Sequence, residues 1–192
     1  MKNKLIIGLF TVAALFFNSC GYNTMVELDE ATVGQWANVE TAYQRRADLI
    51  PNLVSTVKGA ADFEKETLTA VIEARSKATS IQLSADELTP ANIQKFQAAQ
   101  DQLSGALSRL LVSVERYPDI KANRNFLELQ AQLEGTENRI SVERRKFNES
   151  VKSYNSTIRK FPNMMFAGMF GFEKKTYFES DEGSEKAPKV EF

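Results

Sequence analysis

The chain has 192 residues, and its 24 basic and 25 acidic side chains leave a net charge of −1. This near balance does not predict a surface that neutralises nucleic-acid phosphates. The absence of histidine and the presence of one cysteine remove the usual base near neutral pH, the commonest transition-metal ligand and any intrachain disulfide. We therefore expect no nucleic-acid partner, no metal, no cofactor and no enzymatic activity.

The N-terminal residues have the order of parts found in a bacterial lipoprotein signal. After a basic start, Leu5–Phe17 is an unbroken apolar run, and Ser19 and Gly21 flank Cys20. The run is shorter than the roughly 20 residues that a membrane-spanning helix needs, and it fits the apolar region of a secretory signal. We predict a signal over residues 1–19 and lipidation of the Cys20 thiol.

The predicted lipid anchor tethers the protein by its N-terminus, with residues 20–26 connecting it to the body. Two or three acyl chains hold a protein firmly, since each buried CH₂ contributes about 0.8 kcal/mol. The alternative is an uncleaved N-terminal membrane helix in which Cys20 is incidental. In both cases we expect an exported protein, anchored in the membrane on the periplasmic side of the cell envelope.

The body, residues 27–162, is predicted to be all-α. Apolar residues recur at alternating steps of three and four, which is the spacing of one helical face and favours shallow packing between neighbouring helices. One such series is Ile93, Phe96, Gln100, Leu103, Leu107, Leu110, Val114 and Tyr117. The expected fold is an antiparallel bundle of three to four long helices.

Prolines mark the predicted helix boundaries. Thr89 is suited to cap a helix that begins at Pro90, and Pro51 and Pro118 lack the backbone donor that a helix interior uses. The predicted helices span residues 27–49, 51–79, 90–116 and 118–160, with the middle two as an antiparallel hairpin. Because no glycine or polar cluster accompanies Pro51 or Pro118, a continuous kinked helix at either point is the alternative.

Charged residues interrupt the apolar series and form the first candidate site. The four members of this polar seam are Glu64, Arg75, Glu137 and Arg144. Because an unpaired buried charge is costly, we expect pairing across helices, with Glu64 opposite Arg144. The seam either binds a ligand or fixes helix register, as buried polar positions do in coiled coils. Convergence on an open cavity would favour ligand binding, and a filled core would favour a scaffold.

Two asparagines form the second candidate site. Asn148 and Asn155 are seven residues apart on the last long helix, beside the aromatic Phe147 and Tyr154. Their amides are a candidate binding ladder for a peptide or a sugar. The alternative is that each amide satisfies backbone groups at a helix bend.

The helical pattern ends at Pro162. Residues 163–192 begin with the apolar segment Met164–Phe172, which is too short to span a bilayer. It is expected to pack over the bundle end or to offer a methionine-rich surface to a partner. The last twenty residues are predicted to form an extended or partly disordered charged tail.

Several segments resemble one bacterial family. They are Arg45-Arg46-Ala47-Asp48-Leu49-Ile50-Pro51-Asn52-Leu53-Val54, Tyr117-Pro118-Asp119-Ile120-Lys121-Ala122, Phe147-Asn148, Tyr154-Asn155, Phe161-Pro162 and Tyr177-Phe178. The chain resembles the LemA family over residues 22 to about 180. The resemblance implies a long helical bundle held at the membrane by its N-terminus, with a poorly defined biochemical activity and one branch associated with magnetosome membranes. Phe147 replaces the family's usual tyrosine, and a lipoprotein-like leader replaces its usual membrane helix.

These patterns predict a non-catalytic interaction or scaffold protein of the bacterial envelope. It would present a helical face or its apolar C-terminal segment to an envelope protein partner. The alternative is a periplasmic protein that binds a peptide or small ligand in the polar seam. A hydrolase using a pair of carboxylates is a third, weaker reading.

Overall fold

The computed structural model describes residues 2–59 and 64–179, with side chains from Gly21 onward except that of Asp86. Within these ranges the chain forms helices, turns and irregular segments, and no strand. The helices are α1 (Lys2–Lys58), α2 (Lys65–Ser80), α3 (Pro90–Val114), α4 (Pro118–Lys121), α5 (Arg124–Ile158) and α6 (Met164–Ala167), with a 3₁₀ turn at Ala85–Glu87. The predicted all-α bundle of long antiparallel helices is confirmed.

The two longest helices, α1 and α5, run antiparallel along each other. Arg46 of α1 binds Glu137 of α5, and Gln35, earlier in α1, binds Glu143, later in α5. Helix α1 is therefore contacted by α5 over most of the length of the bundle. This pairing places residues 35–46 of α1 beside residues 137–143, in the middle of α5.

The second antiparallel pair is α2 and α3. Glu64, just before α2, binds Arg116, just after α3, whereas Ala78 near the end of α2 accepts a hydrogen bond from Gln100. Thr89 caps α3 as predicted, because its hydroxyl accepts a hydrogen bond from the backbone N–H of Asn92 and Pro90 begins the helix. The α2–α3 hairpin is confirmed, but α2 has only 16 residues.

Two large apolar clusters fill most of the bundle, and a third, smaller one lies at its N-terminal end, formed by Met25, Tyr154, Ile158 and Ala167. The distal cluster, far from the N-terminus, includes Ile50, Leu53, Val71, Leu103, Leu110 and Phe126. The proximal cluster includes Trp36, Phe96, Ile140, Phe147, Val151 and Phe178. Each such side chain contributes about 1.5–3 kcal/mol when it is fully buried. Phe178 follows the last helix, so residues after the helices complete the proximal cluster.

Pro51 does not end a helix, and the predicted boundary at residue 49 was wrong. Helix α1 continues through Pro51 to Lys58, so the alternative of a continuous helix holds at this point. A proline has no N–H to donate to the carbonyl four residues earlier, which is that of Ala47. The Nε of Arg75 donates to the Ala47 carbonyl at 2.8 Å instead. A side chain from α2 thus replaces the missing helical hydrogen bond.

Pro118 does mark a break, as predicted. Helix α3 ends at Val114, the single-turn α4 begins at Pro118, and α5 begins at Arg124. The side-chain oxygen of Asn123 accepts hydrogen bonds from the backbone N–H groups of Asn125 and Phe126, which caps α5. The last long helix therefore starts six residues later than the sequence predicted.

The first helix was predicted to begin at residue 27, with residues 20–26 connecting it to the anchor. This boundary was wrong, because α1 runs unbroken through these residues. Lipidation at Cys20 stays a prediction. The backbone of α1 is helical from Lys2, but the side chain of Cys20 and the other side chains of residues 1–20 lie outside the described residues. Among the helices searched within the described residues, none combines the length and the apolar character needed to cross a membrane.

We expect Arg75→Met to lower the free energy of unfolding by about 1–2 kcal/mol, since it leaves the Ala47 carbonyl without a donor. In a Pro51→Ala background the helix itself supplies the donor, so the same substitution should cost less. Urea denaturation of the detergent-solubilised full chain, followed by circular dichroism, measures both steps of this cycle. Lys77→Met, on the exposed face of α2, is the control. Equal losses in the two backgrounds would contradict the donor role.

Candidate functional site

A buried arginine lies at the centre of the bundle. Arg46 of α1 is only 1% exposed. Its Nη1 donates to Glu137 at 2.6 Å and to the hydroxyl of Ser104 at 2.7 Å. Its Nη2 donates to the side-chain oxygen of Gln100 at 2.6 Å. The guanidinium therefore joins α1 to α3 and α5.

The pairing of Arg46 is asymmetric. Its carboxylate partner Glu137 has a side chain 46% exposed, so the negative charge faces solvent while the positive charge is buried. The guanidinium also lies 5.2 Å from the ring centroid of Tyr43, close enough for a cation–π interaction. Because a buried charge needs compensation, these partners hold α1, α3 and α5 in one register.

The predicted polar seam does not converge. The carboxylate of Glu64 accepts hydrogen bonds from Thr67 and Arg116 at the distal end of the bundle, so the predicted pair with Arg144 was wrong. Arg75 binds the α1 backbone, as described above. Glu137 and Arg144 do line one open groove of about 900 Å³ along α5. Glu64 and Arg75 thus make structural contacts, whereas Glu137 and Arg144 line the open groove.

The two predicted asparagines bind backbone, but the backbone of another segment. Asn148 donates to the carbonyl of Phe178 at 3.0 Å and accepts from its N–H at 2.9 Å. Asn155 makes the same pair of bonds with Lys175, both at 2.9 Å. The two amides therefore form a ladder that holds residues 173–179 of the same chain, which we call the C-terminal segment. Binding of a separate peptide or sugar stays a prediction.

The spacing of the ladder requires an extended ligand. Asn148 and Asn155 are seven residues apart, which is about 10.5 Å along a helix. Their partners Phe178 and Lys175 are three residues apart, and three extended residues span at most about 10–11 Å. The C-terminal segment is therefore nearly fully extended and runs antiparallel to α5. Two turns of helix match three residues of extended chain.

The ring of Phe178 is the apolar anchor of the segment. It stacks on Trp36 with centroids 5.7 Å apart and meets the edge of Phe147 at 5.5 Å. The guanidinium of Arg144 covers its outer side at 5.1 Å. Phe147 carries no hydroxyl, so the wall that it contributes to this pocket is wholly apolar.

Polar groups hold both ends of the C-terminal segment. The Nζ of Lys175 lies 2.7 Å from a carboxylate oxygen of Asp29 on α1. At the other end, the carbonyl of Glu179 accepts hydrogen bonds from Gln97 of α3 and Arg144 of α5. We call this surface the amide groove; its polar members are Asp29, Gln97, Arg144, Asn148 and Asn155.

Two buried groups near the centre of the bundle have shifted pKa values. Burial raises the pKa of the Tyr43 hydroxyl to about 12, against the opposing effect of Arg144 and Arg46. The hydroxyl therefore stays protonated at neutral pH. A hydrogen bond from Gln35 lowers the pKa of Glu143 despite its burial. Among the described residues no group of three or more His, Cys, Asp or Glu is arranged to hold a metal ion.

Sequence reasoning missed three parts of this site: the burial of Arg46, the contact from Gln97, and the C-terminal segment as the occupant of the groove. The segment was predicted as an extended or partly disordered tail; residues 173–179 are extended but packed, and 180–192 lie outside the described residues. One signal was present, because Tyr177-Phe178 places aromatic residues in a tail that is otherwise charged.

We expect Arg46→Ala to lower the free energy of unfolding by about 3 kcal/mol or more, because it removes the shared partner of three helices. Arg45→Ala is the matched control, since Arg45 is its exposed neighbour and surface substitutions cost about 0.5 kcal/mol or less. Chemical denaturation of the full chain in detergent compares the two. Similar small losses for both variants would show that the buried charge does not hold the bundle together.

Comparison with known proteins agrees with the resemblance seen in the sequence. The chain is 28% identical to the magnetosome protein MamQ 2 of Paramagnetospirillum magneticum, over 91% of this chain and 71% of that protein. It is 25% identical to protein LemA of Metamycoplasma hominis, over 82% and 68% of the two chains. It is 27% identical to the magnetosome protein MamQ of Magnetospirillum gryphiswaldense, over 82% and 64%. The LemA family model matches residues 35–192, and the chain belongs to the LemA family.

Proposed function

We propose that this LemA-family chain is a non-catalytic, membrane-tethered interaction protein whose amide groove binds an extended polypeptide. The single observation that carries the proposal is the double pair of hydrogen bonds from Asn148 and Asn155 to the backbone of the C-terminal segment. In this state the protein's own segment fills the groove.

Side-chain amides suit the capture of peptides of varied sequence. A carboxamide presents one donor and one acceptor side by side, which matches the N–H and carbonyl of one extended residue. Asn148 and Asn155 therefore bind the peptide backbone, and their hydrogen bonds do not depend on the side chains of the bound peptide. Affinity from such bonds is independent of sequence, in the manner of a strand added to a sheet edge.

Selectivity comes from two side-chain positions. The pocket between Trp36 and Phe147 takes an aromatic ring, and Asp29 takes a cation three residues earlier in the ligand. The C-terminal segment carries Lys175 and Phe178 at this spacing. The preferred ligand is therefore an extended peptide with a basic residue three positions before an aromatic one.

Occupation by the protein's own segment makes the groove self-limiting. A segment tethered to its site acts at an effective concentration of the order of millimolar, so a peptide from a partner must compete with it. The partner would be an envelope protein with an exposed basic and aromatic stretch. The open groove of about 900 Å³ beside the segment, lined by Glu137 and Arg144, is the site that the small-ligand alternative would use. It supports that alternative less well, because the best-formed contacts there are with peptide backbone.

The proposed tether rests on the sequence of the first twenty residues. The apolar run and Cys20 support lipidation, and the likeness to proteins named as magnetosome proteins supports association with a membrane. We place the bundle on the periplasmic side because the leader resembles an export signal. The proposed non-catalytic role draws on the lack of histidine, the usual general base near neutral pH.

A labelled peptide with the sequence of residues 173–179 tests the groove. In the full chain, Phe178→Ala weakens the protein's own segment, so the peptide should bind at least about tenfold more tightly than to the wild type. Adding Asn148→Ala and Asn155→Ala should weaken peptide binding about tenfold or more, because each lost pair of hydrogen bonds costs about 1–3 kcal/mol. Fluorescence anisotropy measures each dissociation constant.

Asn138→Ala is the matched control, since Asn138 is an exposed asparagine of the same helix at the rim of the groove. It should leave peptide binding unchanged. Hydrogen exchange gives an independent readout. The backbone amide of Phe178 should exchange faster in Asn148→Ala than in the wild type. Peptide binding that does not respond to the asparagine substitutions would contradict the groove.

Metabolic labelling with palmitate tests the tether separately. The wild-type chain should take up label, and Cys20→Ala should not, because the thiol is the predicted acylation site. Labelling is read by gel fluorography of the full chain expressed in bacteria. Equal labelling of the two proteins would refute lipidation at Cys20.

A further inference from the structure

Large apolar side chains are exposed together at the proximal end of the bundle, at the turns around α6. Their exposures range from 41% for Tyr22 to 78% for Phe161. The members of this end surface are Tyr22, Phe161, Met164, Met165, Met169 and Phe170. Other exposed large apolar residues, such as Val112 of α3 and Leu127 of α5, lie on separate helices toward the distal end. Scattered residues of that kind need no explanation, but a contiguous group does.

The end surface lies beside the point where α1 enters the bundle. The ring of Tyr22 meets Phe170 at 5.1 Å and Phe172 at 5.8 Å, both edge to face. Gly21 lies against the same turns, because a Cβ there would clash with the side-chain oxygen of Asn163. Residues of the turns after α5 therefore pack against residues 21 and 22, and we call these turns, residues 161–172, the collar.

This collar lies next to the most apolar stretch of the chain. The run Leu5–Phe17 ends five residues before Tyr22, which is about 8 Å along a helix. Whether Cys20 carries acyl chains or α1 continues into the bilayer, the hydrocarbon begins within a few residues of the collar. The end surface is thus continuous with the part of the chain that the proposed function puts in the membrane.

The charges at this end fit a lipid headgroup layer. Residues 150–172 contain no Asp or Glu and three basic residues, Lys152, Arg159 and Lys160, whereas the whole chain carries 24 basic and 25 acidic residues. Residues 1–26 also contain no Asp or Glu. Apolar side chains flanked by Lys and Arg are the composition of segments that lie in the membrane interface, where anionic lipids attract the cations.

We propose that the end surface inserts into the bilayer interface and forms a second membrane contact beside the N-terminal tether. This contact rests on the proposed tether for its position. Phe161, Met165 and Phe170 would enter the headgroup boundary, with Arg159 and Lys160 at the phosphates. A single tether leaves the bundle free to tilt relative to the membrane. A second contact at the same end would restrict this tilt and hold α1 upright.

An upright bundle sets the orientation of the amide groove. Asn155 is three residues before the end of α5, and Asn148 is two helical turns further from that end. The Lys175 end of a bound peptide would therefore face the membrane, and the Phe178 end would point away from it. The second contact would select peptides that approach in this direction.

Site-specific photocrosslinking of the full chain tests the contact. A benzophenone-bearing phenylalanine replaces Phe170 in one protein and Leu127 in another, and each is reconstituted in vesicles of phosphatidylethanolamine and phosphatidylglycerol. We expect lipid adducts, read by mass spectrometry, at least fivefold more abundant at position 170. Adding Met165→Glu and Met169→Glu should reduce them at least threefold, whereas Val112→Glu should not. Both methionines are exposed, so folding is retained and is checked by circular dichroism.

Vesicle flotation separates the two proposals. A chain that floats without excess lipid adducts at position 170 overturns the second contact and leaves the tether intact. A chain that does not float overturns the tether and the contact that depends on it. Adducts at position 170 to a second copy of the chain, in place of lipid, also overturn the contact, because the end surface would then be a protein interface.

Discussion

The guanidinium of Arg46 brings a full positive charge into the bundle interior, and the register of three helices follows from the need to pair it. Glu137 of α5, together with Gln100 and Ser104 of α3, converges on this one group. An uncompensated charge in such a place costs several kcal/mol, so sliding α1 along its neighbours is strongly penalised. Apolar packing alone tolerates many registers, whereas a directional hydrogen-bond network selects one.

Once this register is set, the amide groove follows from it. Trp36 and Asp29 lie earlier on α1 than Arg46, and Phe147 and Asn155 lie later on α5 than Glu137, so both helices present their groove residues on the proximal side of the arginine. Continuity of α1 through Pro51 gives the bundle its length beyond that point, because Arg75 supplies the donor that proline lacks. Because the hydrogen bond from Arg75 replaces the missing one, α1 continues past Pro51 as one helix.

The two proposed surfaces use different parts of the same rod. The amide groove binds backbone through paired hydrogen bonds and side chains through one aromatic pocket. These contacts suit a peptide that is fully extended but has few sequence requirements. The end surface offers flexible methionines and rings without directional bonds, which suits a fluid lipid interface. Both lie toward the proximal end, so the proposed recognition and the proposed attachment would take place close together, and the protein's own segment would compete for the groove.

Local patterns in the sequence determined the helices, the cap at Thr89, the break at Pro118 and the pair of asparagines on one face, because periodicity, capping and side-chain type act between near neighbours. The all-α bundle was predictable for that reason, whereas the LemA resemblance rested on separate motifs, such as Tyr117-Pro118-Asp119-Ile120-Lys121-Ala122. Only the tertiary structure decided that α1 passes through Pro51, that Glu64 binds Arg116, that Arg46 is buried and that the asparagines hold residues 175 and 178. Each of these outcomes depends on which distant group supplies a partner. Hydrogen bonds between residues 20 to 91 positions apart produce no periodic pattern in the sequence.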